Sequence, residues 1–292
     1  MTTVPDAADA TDASDATGPT GPEGAEGSGP EAFEGRGGSG LHLPLSPVAA
    51  DRVRPVTIGA VLVAAGLLAL ASTGGRWPVL VATLALALVL AWSWPVVGGS
   101  YTPQTTTIVL IVSAPAIVFT AVADDLRWLA AAVALGIVLS FMAQLTRRTG
   151  REGLVLTLLA SFGGLVPMAS GTLAVAAADE PLGRAYIVVT MTAAVFAVVA
   201  DLLVRRHGLT PFLGIVALLA AVAGGVIAAV LLDELGAWAA VGVAAAAGLL
   251  SWSFRRVLAL QPAMLGIRGQ VAAGVGSVLV LGVVVRLFTL AS

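Results

Sequence analysis

Cysteine and lysine are both absent from the 292 residues, and histidine occurs twice, at His42 and His207. Without cysteine there is no disulfide, no thiolate nucleophile and no cysteine-ligated zinc or iron–sulfur site. The histidines are far apart and have no nearby partners, and no Walker loop, HExxH, EF-hand loop or Gly-rich dinucleotide loop occurs in a supporting context. Neither a metal nor another cofactor is therefore expected. Charge is also scarce, at 11% of residues against 58% apolar, and mean hydropathy is +0.98. A soluble globule of this size could not keep so much apolar surface from water, which points to an integral membrane protein.

The charge that exists is unevenly placed. Residues 1–50 hold eight acids (Asp6, Asp9, Asp12, Asp15, Glu23, Glu26, Glu31 and Glu34) and a single Arg in an Ala-, Gly-, Pro-, Ser- and Thr-rich background. So little apolar area cannot offset the entropy of ordering the segment, and a disordered acidic tail on the cytoplasmic side is expected. It has no basic stretch followed by an apolar run and a small-residue cleavage site, so neither a secretory signal nor a transit peptide is expected. Residues 51–292 hold 14 Arg against nine acids and form the expected transmembrane domain.

Nine apolar stretches are long enough to cross a hydrocarbon core, which takes about 20 helical residues. They lie at 55–73, 77–97, 105–123, 127–145, 153–177, 184–204, 211–232, 235–254 and 269–288. The two-residue alternation of a barrel is missing, and helices satisfy their backbone groups internally in lipid, so an all-α polytopic bundle of about nine transmembrane helices is predicted. With the N-terminus inside, the inner loops collect Arg52, Arg54, Arg147, Arg148, Arg151, Arg205, Arg206, Arg255, Arg256 and Arg268. The outer side receives Arg76, Arg127, Arg184 and Arg286. This bias predicts a cytoplasmic N-terminus and an external C-terminus in the cell membrane. Trp77, Trp128 and Trp238 then fall at outer ends and Trp92, Trp94 and Trp252 at inner ends, as in an aromatic belt. Arg147, Arg148, Arg205, Arg206, Arg255 and Arg256 are expected to meet anionic lipid headgroups on the inner face, a sufficient account of them without nucleic acid.

Candidate substrate-path residues come from breaks and polar groups within the spans. In the fifth, Ser161, Gly163, Gly164, Pro167 and Ser170 cluster where Pro167 removes a donor and obstructs the carbonyl of Gly163. Ser113 and Pro115 in the third span offer a second kink, and Thr190 and Thr192 in the sixth add hydroxyls, which can also satisfy themselves on a carbonyl three or four residues back. Asp201 is the one acid inside an apolar run. An intramembrane carboxylate points to function, whereas its spacing from Arg205 fits a local i,i+4 ion pair near the inner rim.

Three functions remain open. Compact spans with kinks and little extramembrane chain favour a small-solute or proton-coupled permease. The scarcity of buried charge fits a non-catalytic scaffold or accessory subunit instead. A lipid-modifying enzyme needs carboxylates, histidines or metal ligands clustered at headgroup level, and none is evident, so catalysis is the weakest expectation. Small size and many short-looped helices are shared with membrane-bound cytidylyltransferases, but the lysine-containing, His-Gly-Gly and Asp-rich signatures of that family are missing.

Overall fold

The computed structural model describes residues 53–123, 127–146, 153–203, 212–233 and 235–292. The acidic tail at 1–50, Arg52, Arg147, Arg148, Arg151, Arg205, Arg206 and His207 lie outside these residues. Among the described residues nine helices are long and apolar enough to cross a membrane: α1 Pro55–Ser72, α2 Arg76–Val97, α3 Pro103–Val122, α4 Arg127–Leu145, α5 Leu154–Ala177, α6 Pro181–Leu202, α7 Leu213–Leu232, α8 Ala237–Leu258 and α9 Ile267–Ala291. Prolines open α1, α3 and α6 in the first turn, where the missing N–H has no intrahelical acceptor to lose. Gly75 and Gly153 turn into α2 and α5 at φ 84° and 66°, a left-handed region that costs other residues strain.

Three helices depart from regularity. The last turn of α3, Phe119–Val122, tightens to a 3₁₀ helix. α6 consists of Pro181–Ala197 and the short Val199–Leu202, with a turn at Val198. α9 pauses at Val280–Leu281 between Ile267–Leu279 and Gly282–Ala291. The eighth helix extends four residues beyond its expected end at 254, so Arg255 and Arg256 belong to its last turn and not to a loop.

α9 is the central column. Its first segment packs on α1 and α2, its second on α5 and α6, and both touch α8. In its most apolar window 72% of residues are buried, against 17% for the peripheral α4. One side of the column is built from α2, α3, α4 and α5, the other from α1, α6, α7 and α8. Small residues set the distances: a Cβ on Gly248 would lie 2.2 Å from Ala221 Cβ, and one on Gly274 2.8 Å from the Thr57 carbonyl oxygen, so α8 meets α7 and α9 meets α1 almost backbone to backbone. The outside is covered with exposed Leu, Val and Trp, including Leu70, Val81, Val230, Leu231 and Trp238. An apolar surface of that extent on nine long apolar helices is compatible with a multi-pass helical membrane protein.

Candidate functional site

The turn at Val198 resets the sixth helix, and the short segment after it carries Asp201, whose N–H donates to the Val198 carbonyl at 2.9 Å. The Asp201 carboxylate accepts a hydrogen bond from Arg255 Nε of α8 at 2.6 Å. Arg255 is 1% exposed. Its Nη1 donates to Ser251 Oγ one turn back at 2.6 Å and faces Ser277 Oγ of α9 at 3.5 Å, while Ser277 in turn donates to the Gly274 carbonyl. The guanidinium is thus held from three helices, yet its Nη2 is buried without a hydrogen-bond partner.

This placement corrects the expectation that Arg255 meets headgroups. Being inside the helix, it continues the buried stripe of Ala240, Ala244, Ala247 and Ser251 and turns into the bundle. The pair it forms spans 54 residues of sequence. Arg205, to which the i,i+4 spacing of Asp201 points, lies outside the described residues.

Arg54, Thr57, Leu213, Trp252 and Arg256 join the pair around a cavity of about 10 Å³, room for a single water. Thr57 Oγ1, on the first turn of α1, is buried there without a hydrogen-bond partner. Arg54, just ahead of α1, is half-buried and donates through Nη2 to the Ala259 carbonyl at 3.2 Å. Burial pushes its guanidinium below the usual range; Asp201 acts in the opposite direction and Arg256 adds to the lowering. Two orphaned polar atoms, Arg255 Nη2 and Thr57 Oγ1, therefore belong to residues lining one small cavity. Buried polar groups are normally paired, and such a pair of exceptions is a reason to look for a ligand.

The other candidate residues do not converge on a path. Ser161 satisfies itself on the Thr157 carbonyl at 3.0 Å. Gly163 and Gly164 accommodate the indole of Trp94, and Pro167 is buried within an α5 that runs through it as one helix. Ser170 bridges two helices: its hydroxyl donates to the Val280 carbonyl at 2.7 Å and accepts from the Val283 N–H at 2.9 Å, satisfying both sides of the pause in α9. Ser113 and Thr190 are buried with hydroxyls lacking a hydrogen-bond partner, and Pro115 lies within α3. Ser113 sits on α3, which packs on α2, α4 and α5, whereas Thr190 sits on α6, which packs mainly on α1, α7 and α8. Their hydroxyls belong to opposite sides of the α9 column.

The inner tryptophans also divide. Trp92 is exposed, with the Arg268 guanidinium 4.8 Å above its ring. Trp94 is buried, donates from Nε1 to the Ala160 carbonyl at 2.8 Å and stacks on Phe254, so it joins α2, α5 and α8 and is not a belt anchor. At the opposite end of the bundle Arg76 pairs with Asp179 at 2.9 Å, and also donates to the Ala121 carbonyl.

Thr57, Ser251 and Ser277 escape sequence reading because each is a hydroxyl in an apolar helix, whereas Arg54 and Trp252 are read from the sequence only as an inner-loop charge and a belt residue. The available signal is the Ser251–Arg255 spacing on the buried face of α8. Among the described residues no three His, Asp or Glu side chains come together, and the cavity is lined by Arg54, Arg255, Arg256 and a carboxylate, Asp201. No family model, curated protein or solved structure matches this chain.

Proposed function

We propose that the chain is a small-solute permease of the cell membrane, with its N-terminus in the cytoplasm and its C-terminus outside, and that the Asp201–Arg255 cluster is its inner binding site. The observation that carries this reading is a fully buried arginine held by Asp201, Ser251 and Ser277 beside a water-sized cavity, with one guanidinium nitrogen unused. Charged groups within membrane-spanning helices are costly and are retained mainly along substrate or ion pathways. The discontinuity in α6, which carries Asp201, supports the reading, because broken helices at the bundle interior are where transporters expose backbone to a solute. A lipid-modifying enzyme finds less support, since Asp201 is the single carboxylate lining the cavity among the described residues.

A scaffold role draws on a different observation: a shallow apolar groove along α1 and α2, lined by Leu67, Leu70, Trp77, Pro78 and Val81. Reconstitution into vesicles separates the two. Permeation predicts flux of at least one solute from a panel, with and without an imposed proton gradient, and loss of that flux in Asp201→Asn with the protein still inserted. Absence of flux for every solute removes the permease reading, and full flux in Asp201→Asn removes the Asp201–Arg255 cluster as its binding site.

A further inference from the structure

We infer that the cavity beside Arg255 is the site of one ordered water, and that Thr57 is the residue through which this water ties α1 to the Asp201–Arg255 pair. The inference goes beyond the permease reading and does not depend on the cluster carrying a solute.

Size names the occupant. A cavity of about 10 Å³ admits one water and nothing larger. The walls leave no slack: a Cβ on Gly274 would lie 2.8 Å from the Thr57 carbonyl oxygen, and Ser277, about one turn further along α9, faces Arg255 Nη1 at 3.5 Å. Cavities lined by hydrocarbon stay dry, whereas Thr57, Asp201 and Arg255 line this one and give a water the bonds it leaves behind in bulk.

The hydrogen-bonding groups fit a water as well. A buried water typically makes about three bonds, to groups that have no other partner. Arg255 Nη2 can only donate, and it is buried without an acceptor. The Thr57 hydroxyl, on a residue 2% exposed, also lacks a partner. Ser93, Ser161, Thr172 and Ser277 each settle on a carbonyl three or four residues back in their own helix. Thr57 does not, and it lines the cavity instead. A water that accepts from Nη2 and donates to the Asp201 carboxylate has a third bond left for Thr57. Thr57 is then a positioning residue: it holds the part of the guanidinium that Ser251 and Ser277 do not reach, and it joins a fourth helix to the cluster.

The test is solid-state NMR of the full-length protein in lipid bilayers, isotope-labelled at arginine nitrogen and aspartate carbon. Arg255 is identified by the contact of its Nε with the Asp201 carboxyl carbon, which the 2.6 Å bond brings close. Magnetisation from water is expected to reach the Arg255 guanidinium in the wild type and in Thr57→Ser, which keeps the hydroxyl. It is expected to weaken in Thr57→Val, which keeps the shape but loses one hydrogen bond and with it about tenfold in affinity for the water. No transfer to Arg255 in the wild type overturns the inference without any variant, and so does loss of transfer in Thr57→Ser. A fall in melting temperature in Thr57→Val with transfer unchanged gives Thr57 a packing role only and also overturns it. Solute flux, present or absent, bears on the permease reading alone.

Discussion

The Nε of Arg255 lies 2.6 Å from Oδ2 of Asp201, tying the end of the eighth helix to the end of the sixth. The two partners differ in what they lose if separated. Arg255 is buried beyond reach of solvent and Asp201 is partly exposed. Removing the carboxylate strands a charge in the bundle, which costs about 3–5 kcal/mol when the abandoned group is fully buried. Removing the arginine leaves an acid that water can reach, and costs less. Asp201→Ala should therefore lower the melting temperature more than Arg255→Met, with Asp201→Asn between them because its amide oxygen still accepts from Nε. Asp179→Asn is the control: its exposed pair with Arg76 should change stability by no more than about 1 kcal/mol. Equal losses for Asp201→Ala and Arg255→Met in thermal melts would contradict the assigned burial.

A second prediction concerns the pause in α9. Ser170 accepts from the Val283 N–H and donates to the Val280 carbonyl, so Ser170→Ala leaves a partly buried backbone donor without this partner. The expected loss is about 1–3 kcal/mol. Gly282→Ala should be worse, since its Cβ would fall 1.9 Å from the Ser170 carbonyl oxygen, and backbone on both sides must move to admit it. Melting temperatures in detergent check the order: wild type, then Ser170→Ala, then Gly282→Ala.

The inner tryptophans give a third. Trp94→Phe removes the only donor in its side chain and leaves the Ala160 carbonyl short of a partner, at a cost of about 1 kcal/mol or more. Trp92→Phe keeps a ring beneath Arg268 and exposes nothing new, so its effect should stay within about 0.5 kcal/mol. A larger loss at Trp92 than at Trp94 would reverse the two roles.

Much of the architecture was legible in the sequence because it follows from long, uniformly apolar runs. The fourth span, expected at 127–145, is the helix Arg127–Leu145, and most other ends differ by three residues or fewer. The eighth helix shows why the site was less legible. Counting Arg residues loop by loop treats Arg255 and Arg256 as one inner pair, but the helix continues to Leu258 and its rotation separates them: Arg255 follows Ser251 on the buried face and Arg256 is only half-buried. Asp201 stood out by itself as an acid in an apolar run, whereas its partner is 54 residues away and no local spacing reveals it. Ser170 was conspicuous for a reason unrelated to its contacts; its two bonds reach α9, more than 100 residues later in the chain.

Every functional proposal rests on the proposed passage of nine helices from the cytoplasm to the outside, and the absence of native cysteine makes this arrangement directly measurable. Single variants Ser39→Cys in the acidic tail and Ser292→Cys at the last residue can each be treated in intact cells with a membrane-impermeant maleimide. The expected result is labelling of Ser292→Cys without permeabilisation and of Ser39→Cys only after it. Labelling of both positions in intact cells, or of both only after permeabilisation, would place the two ends on one face and contradict the nine-span arrangement.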